Sequence, residues 1–197
     1  MEGSEPTIWK QLSPSSTIPF FDCDLPRRGN SNTPSFYTSC SQMEYRPYQP
    51  DDFVQLYAIE EQCFQPPHRF SRSHMRRLIQ QPNAATWIAE DDRRMCGFAL
   101  VEWTQEETEL VAYIQTIEVL PDARGEGVGG ELLRRIEISA CAAEAEAIWL
   151  HVYARNAGAI RLYERHNYQI QGSEEDYYGV GRKALIYAKR ICAKQRD

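Results

Sequence analysis

Residues 117–130 read IEVLPDARGEGVGG, and residues 131–136, ELLRRI, follow them directly. An apolar strand therefore enters a glycine-rich turn that opens a helix. Glycines allow backbone N–H groups to approach a ligand closely, and the start of a helix adds unpaired donors and the positive end of its dipole. The stretch predicts an anion-binding turn between a strand and a helix, with a diphosphate as the expected ligand.

Gly125, Gly127 and Gly130 satisfy the G-x-G-x-x-G pattern of dinucleotide-binding folds, which is a weak match by itself. In those folds the glycines follow the strand in a tight turn, and an acidic residue about twenty positions later binds the ribose. Here residues 121–124 lengthen the turn, and residues 149–152, WLHV, contain no acid. A dinucleotide-binding protein is therefore a remote alternative.

A second pyrophosphate template, Arg/Gln-x-x-Gly-x-Gly/Ala, is met by Arg124, Gly127 and Gly129. The segment resembles the pyrophosphate loop of the GNAT acetyltransferases. This resemblance implies that acetyl-CoA is the co-substrate and that the loop residues bind it, namely Arg124, Gly125, Glu126, Gly127, Val128, Gly129 and Gly130. A tight connection without a ligand is the alternative, but closely spaced glycines weaken the start of a helix.

The composition of the 197 residues restricts the partners. The formal net charge of −6 argues against nucleic acids and anionic membranes, whose binding needs a basic face. No apolar run approaches twenty residues, and the N-terminus carries Glu2 and Glu5, so we expect a cytoplasmic protein. The six cysteines lack C-x-x-C spacing and the four histidines lack metal-site spacing. These patterns predict reduced thiols and no bound metal.

Composition also predicts the domain organisation. Residues 1–42 are rich in Ser and Pro and show no periodicity, so we interpret them as a flexible arm. The alternative is that their apolar side chains dock onto the domain or onto a partner; these are Ile8, Trp9, Phe20 and Phe21. Residues 43–192 form the predicted acetyltransferase domain, and residues 193–197 form a tail.

Hydrophobic periodicity and turn signals predict the order β-αα-βββ-α-β-α-ββ from residue 43 onward. Short turns at residues 91–94 and 105–108 make the three central strands antiparallel. The predicted fold class is α/β (α+β), a mixed and mostly antiparallel sheet with helices on both faces. This order is also that of the GNAT fold.

Three further motifs resemble a GNAT subgroup, the RimI-like enzymes and the NatA and NatE catalytic subunits, which acetylate protein N-termini. They are NAGAIRLY at 156–163, YYG at 177–179 and CFQPP at 63–67. The resemblance implies transfer of acetyl to the α-amine of a protein or peptide, ribosomal proteins being among the candidates. It implies substrate contacts for Phe64, Tyr177 and Tyr178. Arg182 and Lys183 replace the family's usual acid, which leaves the choice of substrate open.

Catalysis of acetyl transfer needs a base for the amine and an acid for the departing thiolate. An α-amine, with a pKa of about 7.7 to 8.0, needs only a mild base, and histidine suits that task. His151 lies in the L-H-V segment that the eukaryotic N-terminal enzymes share, and a buried strand histidine is the alternative. The family resemblance makes Tyr163 the general acid and a cofactor contact, against a plain packing tyrosine. Asn156 is either a helix cap or a cofactor contact.

Period-two alternation along the central strand places Tyr113, Gln115, Ile117 and Val119 on one face unless a bulge intervenes. Residues 113–117, YIQTI, resemble a NatE segment in which the tyrosine works with the histidine, so Tyr113 is a second catalytic candidate. Gln115 is a substrate candidate. The backbone groups of Ile117 and Val119 are expected to bind pantetheine.

Glu109 and Glu118 are rival bases, but alternation places Glu118 on the face opposite Tyr113. Glu109 is in phase with Tyr113 but lies roughly 13 Å before it at the far end of the strand. We expect both to be solvated or ion-paired carboxylates. Two other functions stay open. The chain could acetylate a small-molecule amine or lysine, or it could be a catalytically silent acetyl-CoA-binding module.

Overall fold

A computed structural model describes residues 43–66 and 68–191, so the arm at 1–42 and the tail at 193–197 lie outside the described residues. The strands are β1 Glu44–Pro47, β2 Ala84–Asp91, β3 Arg94–Glu106, β4 Glu109–Val119, β5 Ala147–Tyr153, β6 Gln169–Glu174 and β7 Ala184–Arg190. The helices are α1 Phe53–Cys63, α2 Arg72–Ile79, α3 Val128–Ala142 and α4 Ala157–Arg165, with short 3-10 turns at Pro50–Asp52 and Pro121–Ala123. This order confirms the predicted fold class.

The strands form one seven-stranded sheet in the order β1-β2-β3-β4-β5-β7-β6. All neighbours are antiparallel except β4 and β5. Asp92 and Arg93 connect β2 to β3 with φ angles of 47° and 67°. Positive φ at both central residues is the geometry of a type I′ turn, whose twist matches that of the flanking strands.

Helices cover both faces of the sheet. Leu56 of α1 and Met75 of α2 are fully buried in one cluster with Phe98 and Leu100 of β3. Val101, the next residue of β3, belongs to the opposite cluster with the core residues of α3. Successive side chains of a strand point to opposite faces, so each buried strand serves two cores.

A bulge at Gln115 interrupts the alternation of β4. Leu100 pairs with Thr116 whereas Val101 pairs with Ile114, which leaves Gln115 as the extra residue. As a result Ile114 and Ile117 lie three positions apart but pack in the same α3 cluster. The expectation that Tyr113 shares a face with Ile117 and Val119 is therefore wrong, because the extra residue reverses the phase.

Strands β4 and β5 separate from each other after a short paired region. Their pairing comprises Val111 with Ala147, Ala112 with Ile148 and Tyr113 with Trp149. Beyond this point β4 continues to Val119 and β5 to Tyr153 without further pairing between them. A gap thus opens in the middle of the sheet and connects its two faces.

The cysteines only partly meet the expectation of reduced thiols. Cys63 and Cys96 are free, but Cys141 is disulfide-bonded, so the expectation is wrong there. Cys141 lies near the end of α3, with its Sγ 3.9 Å from the carbonyl oxygen of Ile191. Folding brings the end of the domain to α3, which spacing in the sequence does not reveal. In the described part of the chain, no helix has the length and apolar character needed to cross a membrane.

Candidate active site

The turn before α3 presents bare backbone to open space. Gly125 and Gly127 adopt φ angles of 88° and 86°, a left-handed conformation that favours glycine. Among the described residues other than the two chain neighbours of each glycine, no heavy atom lies within 4 Å of where a Cβ would stand. No side chain caps α3, which starts at Val128, so its first N–H groups remain available. This geometry fits a diphosphate.

Gly129 and Gly130, at the start of α3, face neighbouring side chains instead of open space. A Cβ at Gly130 would lie 3.1 Å from Nε2 of His166, and one at Gly129 would touch Leu162. These two glycines therefore allow α4 to approach the start of α3. Arg124 donates from Nε to the carbonyl oxygen of Val119 at 2.9 Å, which joins the turn to the end of β4. Glu126 is exposed and Val128 is buried.

The backbone of β4 faces the gap at the two predicted positions. The N–H of Leu120 donates to the carbonyl oxygen of Cys96 at 2.8 Å, so Leu120 directs its backbone towards β3. Since direction alternates along a strand, Val119 and Ile117 direct their backbone groups towards the gap. The N–H and C=O of Ile117 and the N–H of Val119 can therefore form hydrogen bonds with an extended ligand such as a pantetheine arm.

Tyr163 lies on the α4 side of the sheet and packs against Tyr168 and Tyr187. The residue is 7% exposed, and burial raises the pKa of its phenol, which stays protonated at neutral pH. The neighbouring Tyr178 also raises the pKa of this phenol. Asn156 caps α4 by accepting from the Ala159 N–H at 3.2 Å.

On the opposite face, an aromatic cluster surrounds the His151 imidazole. The hydroxyl of Tyr113 lies 3.1 Å from Nδ1 of His151 and 3.3 Å from the hydroxyl of Tyr177. The Tyr177 ring stacks on the imidazole at 4.1 Å between centroids and 12° between planes. Burial raises the pKa of Tyr113, so this phenol does not ionise at neutral pH. The fold thus joins two predicted catalytic residues that are 38 positions apart.

Of the other predicted substrate residues, Tyr178 borders this cluster. Tyr178 donates its hydroxyl to the carbonyl oxygen of His151 at 3.1 Å, and burial raises its pKa. Phe64 follows α1 and is 38% exposed, which is high for a phenylalanine. Gln115 donates to Glu102 at 2.6 Å from the bulge of β4.

The two rival carboxylates have different surroundings. Glu109 pairs with Arg190 at 3.7 Å, which confirms the expected ion pair. Glu118 is 2% exposed, so the expectation of a solvated or ion-paired group is wrong for it. The bulge turns Glu118 towards α1, where burial and the neighbouring Glu60 carboxyl raise its pKa well above 4.5. Burial beside Glu60 therefore favours the protonated form of Glu118.

The sequence matches the family model described as the acetyltransferase (GNAT) family over residues 53–168. The chain belongs to this family. GNAT enzymes transfer acetyl groups from acetyl-CoA, so the protein is an N-acetyltransferase. Among the residues that the structure describes, no cluster of three or more side chains could hold a metal ion.

Two relatives and one solved structure illustrate the likeness. The chain is 28% identical over 148 residues to NAA10 of Arabidopsis thaliana, the catalytic subunit of the N-terminal acetyltransferase A complex, covering 74% of this chain and 76% of that protein. It is 28% identical over 138 residues to a putative ribosomal protein bS18-alanine N-acetyltransferase of Bacillus subtilis (strain 168), covering 69% and 87%. The crystal structure of Arabidopsis thaliana NAA60 with a bisubstrate analogue has a TM-score of 0.70 at 21% identity, covering 78% and 100%, and shows the fold.

Sequence reasoning missed two contributors to the site of this GNAT enzyme. Trp149 packs against Tyr113 at 4.6 Å and against His151 at 5.4 Å between ring centroids. Glu174 places Oε2 3.4 Å from Nε2 of His151. Trp149 lies two positions before His151 on β5, so period-two alternation predicts that the two side chains lie on the same face. Glu174 belongs to an acidic run with Glu175 and Asp176. The sequence does not show which of the three carboxylates reaches His151, because that contact depends on the fold.

Proposed function

We propose that this GNAT enzyme acetylates the N-terminal α-amine of a protein or peptide. The observation that carries the proposal is the Tyr113–His151 pair, held inside the aromatic cluster at the mouth of the β4–β5 gap. The pair offers a mild base on the face opposite α3 and α4. Tyr177 is 41% exposed and lies beside it, as expected of a side chain that contacts a peptide.

The basicity of the acceptor supports an α-amine. An α-amine has a pKa of about 7.7 to 8.0, so an appreciable fraction is neutral at pH 7, whereas lysine near 10.4 is almost fully charged. Removal of a proton from an α-amine therefore demands little of the enzyme. An imidazole with an aromatic hydroxyl beside it is sufficient for this step.

In this proposal the two substrates bind on opposite sides of the gap. Bound acetyl-CoA supplies the acetyl thioester. The backbone N–H groups of residues 125–130 would hold its diphosphate, and the backbone of Ile117 and Val119 would hold its pantetheine arm. Asn156 stands at the start of α4, next to the same gap, where its Oδ1 already caps the helix.

Tyr163 serves the leaving group in this proposal. Its phenol is buried and protonated on the α4 side, where the thioester sulfur would lie. Donation of this proton to the departing thiolate completes the transfer, while Tyr113 and His151 receive the proton of the amine. The acid and the base thus act from opposite faces.

The test measures thiol release from acetyl-CoA with short peptides that differ at residue one. Each peptide is paired with a twin that has a blocked α-amine and carries a lysine. The wild type, His151→Ala and Tyr163→Phe are compared. We expect turnover with free α-amines only, and a loss of about 100-fold or more in both variants.

Other outcomes would redirect the assignment. Turnover with the blocked, lysine-bearing twins would favour a lysine acetyltransferase, and turnover restricted to small amines would favour a small-molecule enzyme. Acetyl-CoA binding without turnover of any amine would favour the silent binding module. Each of these results would overturn the α-amine proposal.

A further inference from the structure

Both ring nitrogens of His151 have partners. Nδ1 lies 3.1 Å from the Tyr113 hydroxyl, and Nε2 lies 3.4 Å from Oε2 of Glu174 on β6. The side chain of His151 is 9% exposed, and the stacked Tyr177 ring covers one of its faces. Rotation of the imidazole is therefore restricted, and its two edges point at two different groups.

We propose that Glu174 is a positioning residue that fixes the tautomer of His151 and the direction of proton transfer. The 3.4 Å separation is an ion-pair distance, and a carboxylate there, which only accepts hydrogen bonds, favours the tautomer with the proton on Nε2 of His151. Nδ1 then has a lone pair, and the Tyr113 hydroxyl must donate to it. The Tyr113 oxygen in turn accepts from the Tyr177 hydroxyl at 3.3 Å. One carboxylate thus orders the chain Tyr177, Tyr113, His151, Glu174.

This order allows a proton relay, and the inference rests on the proposed function. The acceptor nitrogen gives its proton to the Tyr113 oxygen while the Tyr113 hydroxyl proton moves to Nδ1 of His151. One N–H bond and one O–H bond break, and one O–H bond and one N–H bond form. The imidazolium that results donates from Nε2 to Glu174. Burial raises the pKa of Tyr113, which supports a hydroxyl that passes a proton on rather than a phenolate.

The exposure of the Glu174 side chain limits the contribution to catalysis that we expect from it. The Glu174 side chain is 53% exposed, so water weakens its attraction to the imidazolium. Orientation of the ring and choice of tautomer do not depend on that attraction alone. Carboxylates that orient a metal-bound histidine typically contribute about 10-fold to 100-fold, and we expect the lower end here.

The adjacent Glu175 provides a matched control. Its Oε1 pairs with Lys183 at 2.7 Å, and its side chain is 72% exposed. Glu174→Gln and Glu175→Gln make the same chemical change one residue apart. Only the first removes the carboxylate from His151 and offers an amide N–H to Nε2.

The experiment compares kcat, KM and the pH profile of kcat/KM for the wild type, Glu174→Gln, Glu174→Asp and Glu175→Gln. With a free-α-amine peptide, we expect Glu174→Gln to lower kcat about tenfold with little change in KM. In this variant kcat/KM should begin to fall at a lower pH than in the wild type. The reason is that the imidazolium loses a negative neighbour, which lowers the pKa of His151. Glu174→Asp should restore part of the activity, and Glu175→Gln should match the wild type. Wild-type kcat and an unshifted pH profile in Glu174→Gln would overturn the proposal.

A second measurement does not depend on turnover. Nitrogen-15 NMR of the full chain distinguishes the two histidine tautomers, and His151→Ala assigns the signal. We expect the Nε2–H tautomer in the wild type and a change in Glu174→Gln. An Nδ1–H tautomer in the wild type would overturn the inference even if the enzyme is active. The expected tautomer in an enzyme that acetylates no α-amine would support Glu174 and reject the proposed function.

Discussion

The proposed cofactor turn, residues 124–130, and the aromatic cluster of this enzyme are built in opposite ways. The turn is one continuous stretch, residues 124–130, and it offers backbone N–H groups with almost no side-chain chemistry. The aromatic cluster draws Tyr113, His151, Glu174 and Tyr177 from two strands, the end of a third and a loop. Its chemistry lies in side chains that only the fold brings together.

The difference teaches where specificity resides. In the proposed function the backbone site binds the diphosphate that every acetyl-CoA carries, so glycines and a helix start are sufficient for it. In the same proposal the side-chain site binds the acceptor and moves its proton, so each member affects geometry and charge together. Substitutions in the two regions should therefore produce separable kinetic defects.

Tyr163 lies between the two regions, and its loss should give the largest effect. Tyr163→Phe removes the proposed proton donor but keeps the buried ring, so we expect kcat to fall about 100-fold or more with unchanged acetyl-CoA affinity. Tyr187→Phe is the control, since Tyr187 packs on Tyr163 but donates its hydroxyl to Glu164 at 3.0 Å. Steady-state kinetics and calorimetry check this. Equal losses in both variants would point to packing rather than acid catalysis.

Gly127→Val should affect the cofactor turn alone. A β-branched residue at a φ of 86° strains the backbone, and the left-handed conformation costs about 1–2 kcal/mol. The turn then relaxes away from the geometry that aims its N–H groups, so we expect the Kd for acetyl-CoA to rise about tenfold. Gly172→Ala on β6, where φ is not positive, should bind normally. Wild-type affinity in Gly127→Val would contradict the proposed diphosphate site.

Tyr177→Phe should affect the aromatic cluster alone. The change removes the hydroxyl that lies 3.3 Å from Tyr113 but leaves the ring stacked on His151. Loss of one such hydrogen bond corresponds to about a 2-fold to 10-fold fall in kcat/KM for the peptide. Tyr177→Leu also removes the stacked ring and should fall further. A change in acetyl-CoA affinity in either variant would break the separation of the two regions.

Glu118→Gln should have the smallest effect on activity and a clear effect on stability. Burial and Glu60 raise the pKa of Glu118 in the folded state, so the folded state keeps a proton that the unfolded state releases above about pH 4.5. The free energy of unfolding therefore decreases as the pH rises from that value towards the raised pKa. Glu118→Gln has no carboxyl group at this position, so its free energy of unfolding should not show this decrease.

We expect thermal melts to show a higher Tm for Glu118→Gln than for the wild type at pH 8, with the difference shrinking towards pH 5. The titratable groups that interact with Glu118 are Glu60 and Cys63, and the Thr116 hydroxyl donates to its Oε1 at 2.9 Å. Glu61→Gln serves as the control, because Glu61 is 45% exposed and pairs with Arg69. A constant Tm difference across this pH range would show that Glu118 does not hold the extra proton.

Local patterns predicted most of the fold. Apolar alternation and turn residues marked every strand, and Ser71 caps α2 by accepting from the His74 N–H at 3.2 Å, as a serine before an amphipathic segment should. The bulge at Gln115 escaped this reasoning, because an extra strand residue leaves no local signature in side-chain polarity. One unpaired residue was enough to move Glu118 from the expected face into contact with Glu60.

The sequence by itself determined the order of elements and the cofactor turn, because both follow from neighbouring residues and backbone geometry. It also supplied Tyr113, His151, Tyr163 and Tyr177 as chemical groups. Only the tertiary structure decided that Tyr113 meets His151 across 38 positions and that Glu174, rather than Glu175, reaches the imidazole. Such contacts depend on sheet order, register and the separation of β4 from β5, which are settled by packing between distant segments.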